Sequence, residues 1–196
     1  MIPTYHNVHN SFKLNGFHFD RDSLVRVAYS FIKEGDAYER AIGEFFLDWF
    51  DHKDYIEMTT SGTTGLPKLV RLEKQAMIQS ALATGDFFGL EPGNKALLCL
   101  PTQFIAGKMM LVRAMMWDAD LILTKPKENP LEEEWVDGAF DFAAMVPMQV
   151  ASCLSQNSSL QKLRKIKTLV IGGAPSPKSL LEFISKEIIP AYQTYG

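Results

Sequence analysis

The sequence predicts an α/β fold built on a layered, mainly parallel sheet with flanking helices. Short apolar runs alternate along the chain with segments of helical periodicity. Some of these runs, such as residues 95–100, are apolar throughout, which is typical of strands buried on both faces of a parallel sheet. Hydrophobic residues make up 46% of the 196 positions, enough to form a buried core.

Residues 1–53 predict a short helical entry module. The chain before Asp20 is aromatic and irregular. Asp20 or Asp22 can cap a first helix, which stops near Gly35 because glycine commonly ends helices. A second helix follows, opened by an acidic capping box that starts at Asp36.

Residues 54–196 predict the α/β core. The predicted strands occupy residues 55–58, 69–72, 95–100, 119–124, 140–146, 166–171 and 191–195. The predicted helices occupy residues 73–88, 108–117, 148–154 and 176–184. The polar stretches 125–134 and 155–165 are predicted to be surface connections, the first of them running into a short helix.

The stretch with the clearest chemistry is residues 59–68, Thr-Thr-Ser-Gly-Thr-Thr-Gly-Leu-Pro-Lys, which lies between two predicted strands. Hydroxyl side chains flank Gly62 on both sides, and Lys68 supplies a cation. Glycines allow a close approach of the backbone, so the stretch suits a polyphosphate. Its spacing does not fit the Walker phosphate loop. The alternative is an ordinary Ser/Thr/Gly hairpin turn.

Residues 61–68 resemble the phosphate-loop signature of the adenylate-forming superfamily, which contains acyl- and aryl-CoA ligases, luciferases and peptide-synthetase adenylation domains. The resemblance extends over about residues 55–196. It implies ATP, Mg²⁺ and coenzyme A as cofactors and a small carboxylic acid as substrate. Residues assigned to the β- and γ-phosphates are Thr60, Ser61, Gly62, Thr63, Thr64, Gly65 and Lys68, with Thr63 and Lys68 as the catalytic groups.

Two later segments resemble the adenine side of the same superfamily. The turn that follows residues 166–171 looks like its Gly-Gly-Ala/Glu-Pro motif, and the last three residues look like the start of its Tyr-Gly-x-Thr-Glu motif. In the family the aromatic residue packs on adenine. The resemblance therefore assigns these residues to nucleotide binding: Gly172, Gly173, Ala174, Pro175, Tyr195 and Gly196.

Two segments resemble the part of the superfamily's site that binds the carboxylic acid, here called the acid side. Residues 100–107 follow a Leu-Pro-x-x-His-x-x-Gly pattern, with Phe104 in place of the histidine, so any hydrogen bond from that histidine is lost. Residues 145–149 resemble a Val-Pro-Thr-Gln segment of ligases that act on o-succinylbenzoate, a menaquinone precursor. The residues assigned to the substrate are Phe104, Ile105, Ala106, Gly107, Val146 and Pro147.

The resemblance implies an ATP-dependent acid–CoA ligase that acts on o-succinylbenzoate through an acyl-adenylate. The family's distal half has no counterpart before Gly196, so the sequence predicts an N-terminal fragment of such an enzyme. Two alternatives stay open. One is a nucleotide-binding fragment or homologue without turnover, and the other is a ligase for another aryl or fatty acid.

Charge and composition limit the kinds of partner that we expect. The formal net charge is −3 and basic residues are dispersed, so nucleic acid is not an expected partner. No apolar run is long enough to span a bilayer, so we expect no membrane association and a cytoplasmic location. Cys99 and Cys153 are predicted to be core thiols, and no metal site is expected. The sequence leaves a homodimer open.

Overall fold

The computed structural model describes residues 3–8, 11–60, 68–187 and 189–194. Its strands are β1 (Lys13–Leu14), β2 (Phe17–His18), β3 (Tyr55–Thr60), β4 (Lys68–Glu73), β5 (Lys95–Leu98), β6 (Asp120–Leu123), β7 (Phe142–Met145), β8 (Leu169–Ile171) and β9 (Ala191–Gln193). Seven of them form the main sheet in the order β2-β1-β6-β5-β7-β8-β9. All neighbours in it are parallel except β1 and β2. The mainly parallel α/β fold is therefore confirmed.

The helices are α1 (Arg21–Glu34), α2 (Ala37–Phe50), α3 (Lys74–Phe88), α4 (Ile105–Trp117), α5 (Pro147–Ser155), α6 (Asn157–Leu163) and α7 (Lys178–Lys186). Asp20 accepts a hydrogen bond from the Ser23 backbone, and Glu39 accepts one from the Asp36 backbone, as the capping pattern predicts. Helix α4 begins three residues earlier than predicted, directly after Phe104.

Alternate residues of the main sheet enter two separate hydrophobic clusters, one on each face. Leu98, Ala144 and Val170 pack with side chains of α1 to α4. Leu97 and Ile171 pack with side chains of α5 to α7. Successive side chains of a strand point to opposite faces of the sheet. Since helices cover both faces, side chains that point either way are buried, which explains the uninterrupted apolar strands.

Helices α1 and α2 belong to the first cluster, so residues 1–53 share a core with the sheet. The division of the chain after residue 53 stays a prediction.

The irregular start predicted before Asp20 is wrong in part. Strands β1 and β2 form a hairpin around Asn15 and Gly16, which have φ of 51° and 83°. Asn-Gly is a common pair for two-residue hairpin turns of this kind, so the sequence carried a signal. Strands of two residues are too short to show an alternating pattern, which explains why the hairpin was missed.

Both polar connections also differ from expectation. Residues 155–165 contain α6, which was not predicted because the helix is short and mostly polar, with only Ser159 and Leu163 buried. Residues 125–134 contain no helix, and their Asn129 is buried. The Asn129 side chain donates to Gln156 Oε1 and Ser159 Oγ, both at 2.9 Å, so its burial is compensated by hydrogen bonds.

Candidate functional site

The predicted phosphate loop is carried by a hairpin that stands apart from the main sheet. Strands β3 and β4 are antiparallel and form a two-stranded sheet, with Thr60 opposite Lys68 at its end. Lys68 is exposed. Five of the assigned loop residues lie outside the described part of the chain: Ser61, Gly62, Thr63, Thr64 and Gly65. The structure therefore fixes the two ends of the loop.

The base of this hairpin is held by a buried lysine. Lys74 is fully buried, and its ammonium donates to Asp51 Oδ1 at 2.7 Å and to the Lys53 carbonyl at 2.6 Å. The Tyr5 ring lies 4.8 Å from the same ammonium. Burial raises the pKa of Asp51, but hydrogen bonds from Lys74 and the Lys53 backbone and both lysine charges outweigh it and lower that pKa. The sequence pattern does not predict this buried ion pair, because a lysine at the start of a helix usually lies on the surface.

The ends of β7, β8 and β9 meet at one edge of the main sheet, here called the strand-end edge. The Gly172 backbone donates to the Met145 carbonyl at 3.2 Å, and the Thr194 backbone donates to the Ile171 carbonyl at 2.9 Å. Ligands of parallel sheets bind at such an edge. The predicted adenine turn is thereby placed beside the segment that starts at Val146.

Both glycines of this turn make close contacts. A Cβ on Gly172 would lie 2.4 Å from Thr194 Oγ1. Gly173 has φ of +80°, and a Cβ there would lie 3.3 Å from Val146 Cγ1. Val146, Gly173, Gly172 and Thr194 thus form one continuous surface. Tyr195 and Gly196, the other adenine-side assignments, lie outside the described residues.

Replacing Gly173 with alanine is expected to cost about 1–2 kcal/mol of stability, because L-residues are strained at positive φ, and to weaken nucleotide binding. The matched control is Gly93→Ala: Gly93 has φ of +85°, and the space that its Cβ would enter is open to 4 Å. Urea unfolding should give similar losses for both variants. Nucleotide titration should show weaker binding only for Gly173→Ala, and equal binding by both would contradict the assignment.

The predicted acid-side residues are divided by the structure. Phe104, Ile105 and Ala106 are exposed at the start of α4. Gly107 is buried, and a Cβ there would lie 2.4 Å from the Pro101 carbonyl oxygen. Close packing of backbone therefore explains Gly107 without a ligand, and its substrate role stays a prediction. Pro147 is buried as the first residue of α5.

A largely apolar cavity of about 830 Å³ opens between α5 and α7. It is lined by Val146, Pro147, Met148, Ala151, Leu154, Ser155, Ala174, Pro175, Pro177, Ser179, Leu180 and Phe183. Four residues assigned from sequence, two from the acid side and two from the adenine side, share this cavity.

A second cavity, of about 480 Å³, lies on the other face of the sheet and is here called the Arg113 cavity. It is lined by Ser80, Ala83, Thr84, Phe87, Phe88, Arg113, Val170, Tyr192, Gln193 and Thr194. Thr194 links it to the strand-end edge. Arg113 was not predicted as a site residue, although an arginine among the apolar residues of α4 was a signal.

Arg113 is a half-buried cation inside this cavity. Its Nε is buried and has no hydrogen-bond partner among the described residues. Its guanidinium lies 5.9 Å from the Phe142 ring centroid, and Nη1 makes a long 4.0 Å contact with Met110 Sδ. Burial lowers the pKa of Arg113, but an arginine side chain stays charged in proteins. The cavity thus offers a positive charge between aromatic walls.

The family model for AMP-binding enzymes matches residues 37–196, and the chain belongs to the AMP-binding enzyme family. One relative is the 2-succinylbenzoate–CoA ligase of Bacillus cereus (strain ATCC 10987 / NRS 248). The two sequences are 30% identical over 181 residues, which cover 91% of this chain and 37% of that protein.

Two solved structures are similar in fold. An acyl-CoA synthetase (AMP-forming)/AMP-acid ligase II-like protein from Dyadobacter fermentans has a TM-score of 0.75 and 36% identity, over 87% of this chain and 49% of that one. The o-succinylbenzoate CoA synthetase of Bacillus subtilis, in complex with ATP and magnesium, has a TM-score of 0.62 and 26% identity, over 71% and 29%. The chain thus spans half or less of the length of these proteins.

Neither a membrane span nor a metal cluster is found in the described part of the chain. None of the helices there is both long and apolar enough to cross a membrane. Within the same ranges, no group of three or more His, Cys, Asp or Glu side chains could hold a metal ion.

Proposed function

We propose that the protein acts as an ATP-dependent acid–CoA ligase whose substrate is an aryl acid with a second carboxylate, with o-succinylbenzoate as the leading candidate. In this reaction a carboxylate oxygen attacks the α-phosphorus of ATP and pyrophosphate leaves. The thiol of coenzyme A then attacks the acyl carbon, and AMP leaves. The similarity to 2-succinylbenzoate–CoA ligases supports the proposal, and the Arg113 cavity gives it a physical basis.

The nucleotide side is proposed to be built from the loop between β3 and β4 and from the turn at Gly172 and Gly173. Gly173 has a positive φ and Gly172 packs against Thr194, so glycine lets this turn adopt a backbone path that residues with side chains could not follow. Lys68, at the end of the loop, would stabilise negative charge on the departing phosphates. Magnesium and coenzyme A are cofactors of the proposed reaction.

The residues proposed to bind the acid distinguish between the candidate substrates. The half-buried Arg113 has no carboxylate partner among the described residues, and such a cation is costly unless an anion pairs with it. A second carboxylate on an aromatic acid would pair with Arg113, while its ring would pack against Phe87 and Phe88. A fatty acid offers no such second carboxylate. This observation favours a dicarboxylic aryl acid over the fatty-acid alternative.

Replacing Lys68 with alanine is expected to lower the rate of ATP–pyrophosphate exchange by about a hundredfold or more, because one charged contact to the phosphates contributes roughly 3 kcal/mol. The measurement is exchange of labelled pyrophosphate with saturating acid. Lys125→Ala, at an exposed lysine outside the loop, is the matched control. Equal exchange in both variants would remove Lys68 from the proposed site.

The proposal itself is tested by the same exchange assay with a panel of acids. We expect exchange with o-succinylbenzoate, weaker exchange with benzoate, and background exchange with straight-chain fatty acids. Exchange that is strongest with a fatty acid would overturn the substrate. Nucleotide binding without exchange for any acid would overturn the ligase and favour a nucleotide-binding protein without turnover.

A further inference from the structure

Gln149 is a buried amide that connects three segments near the strand-end edge. It is 3% exposed and lies in the first turn of α5. Its Nε2 donates to the Cys99 carbonyl at 2.9 Å and to the Lys127 carbonyl at 3.1 Å. Its Oε1 accepts a hydrogen bond from the Val146 backbone at 3.2 Å. Both amide protons and the amide oxygen are therefore used within the protein.

Two of the segments joined by Gln149 are those assigned to the acid. Cys99 immediately precedes residues 100–107, which lead to the exposed start of α4. Val146 follows β7, lines the apolar cavity and lies against Gly173. Gln149 thus adds a side-chain link between two acid-side segments that the pairing of β5 with β7 already brings side by side.

The third bonded segment is itself held in place. The Lys127 ammonium pairs with Glu132 and Glu133, which ties this residue to the segment that follows it. Cys99 on a bonded segment and Cys153 on α5 are buried thiols, and burial raises the pKa of both. An uncharged amide with two donors meets two carbonyl oxygens here, which no carboxylate could do at neutral pH.

We infer that Gln149 is a positioning residue for the acid, because it links the segments that follow β5 and β7, which are the two segments that the sequence assigns to acid binding. This inference rests on the proposed ligase function. Gln149 itself is buried and contacts no reacting atom. Its loss should therefore alter acid binding more than nucleotide binding, since Gln149 bonds directly to the acid-side segments and reaches the nucleotide turn only through the contact of Val146 with Gly173.

The test uses two substitutions in the full protein, Gln149→Leu and Gln149→Glu. Leucine fills a similar volume but leaves two carbonyls and one N–H without partners. We expect the KM for the acid to rise about tenfold, because small displacements of positioning groups have effects of this size or larger. The KM for ATP should change less than about twofold.

Gln149→Glu adds a pH signature that simple loosening of the structure would not produce. The introduced carboxyl would face two carbonyl oxygens, so burial and repulsion raise its pKa above that of the unfolded chain. A group with a raised folded pKa favours the native arrangement at low pH and loses it as the pH rises through that pKa. The ratio of variant to wild-type KM for the acid should therefore grow with increasing pH.

Gln75→Glu is the matched control. Gln75 also donates to a backbone carbonyl, that of Pro3, at 3.3 Å, but it lies on α3 at the base of the hairpin. We expect this variant to show no pH-dependent change in KM for the acid. A wild-type protein without exchange for any acid would refute the proposed function, and the inference with it. An active wild type whose Gln149 variants raise both KM values equally, or change only the unfolding midpoint, would overturn the inference alone.

Discussion

Replacing Arg113 with methionine is expected to lower kcat/KM for o-succinylbenzoate by about a hundredfold, because the loss of a charged hydrogen-bond partner from a site that the bound acid would desolvate costs roughly 2–5 kcal/mol. Methionine fills the same cavity, and Met110 and Met115 already pack on this helix. The KM for ATP should stay within about twofold, since Arg113 is proposed to bind the acid and not the nucleotide.

The control for this prediction is a second substrate. Benzoate has a ring and one carboxylate but no second carboxylate for Arg113 to bind. Arg113→Met should therefore not impair its exchange and should improve it, because the variant removes a half-buried charge that this acid cannot pair while its own carboxylate reacts. Arg113→Lys should recover only part of the activity, since an ammonium cannot make a bidentate pair. An equal loss with both acids would show that Arg113 supports the fold and does not bind substrate.

Replacing Lys74 with methionine is expected to lower the free energy of unfolding by about 3 kcal/mol, because removing one partner of a buried ion pair strands the other. Lys74 is fully buried, whereas the Asp51 carboxylate keeps 25% of its side-chain surface exposed. Urea unfolding at neutral pH gives the measurement. Lys53→Met is the control, since Lys53 is 42% exposed and lies 3.9 Å from the same carboxylate, and we expect it to cost less than about 1 kcal/mol.

The same pair makes the stability pH-dependent. The pKa of Asp51 is lowered in the folded protein. Its ionisation therefore contributes stability above the carboxyl pKa of the unfolded chain, and this contribution is lost as the pH falls through the folded pKa. The difference in unfolding free energy between wild type and Lys74→Met should shrink as the solution is acidified below about pH 4. A difference that is constant with pH would contradict the ion pair.

Lys74 and Arg113 also show where sequence reasoning stops. Both are charged residues in helices, and sequence pattern treats such residues as surface groups by default. Their burial arises only when α3 and α4 pack against α2, the sheet and the N-terminal residues. Gln149 is similar, because its partners Cys99 and Lys127 are distant in sequence and come together only at the strand-end edge.

Local sequence features were enough to establish the α/β class, the order of most helices and strands, and the family. Those features are apolar runs, capping residues at Asp20 and Asp36, and short motifs such as residues 61–68. The folded chain was needed to see that the β3–β4 hairpin stands apart from the main sheet and that Arg113 lies in a cavity between aromatic rings. The reason is physical, since strand pairing and desolvation depend on segments far apart in the chain, and local pattern carries no record of them.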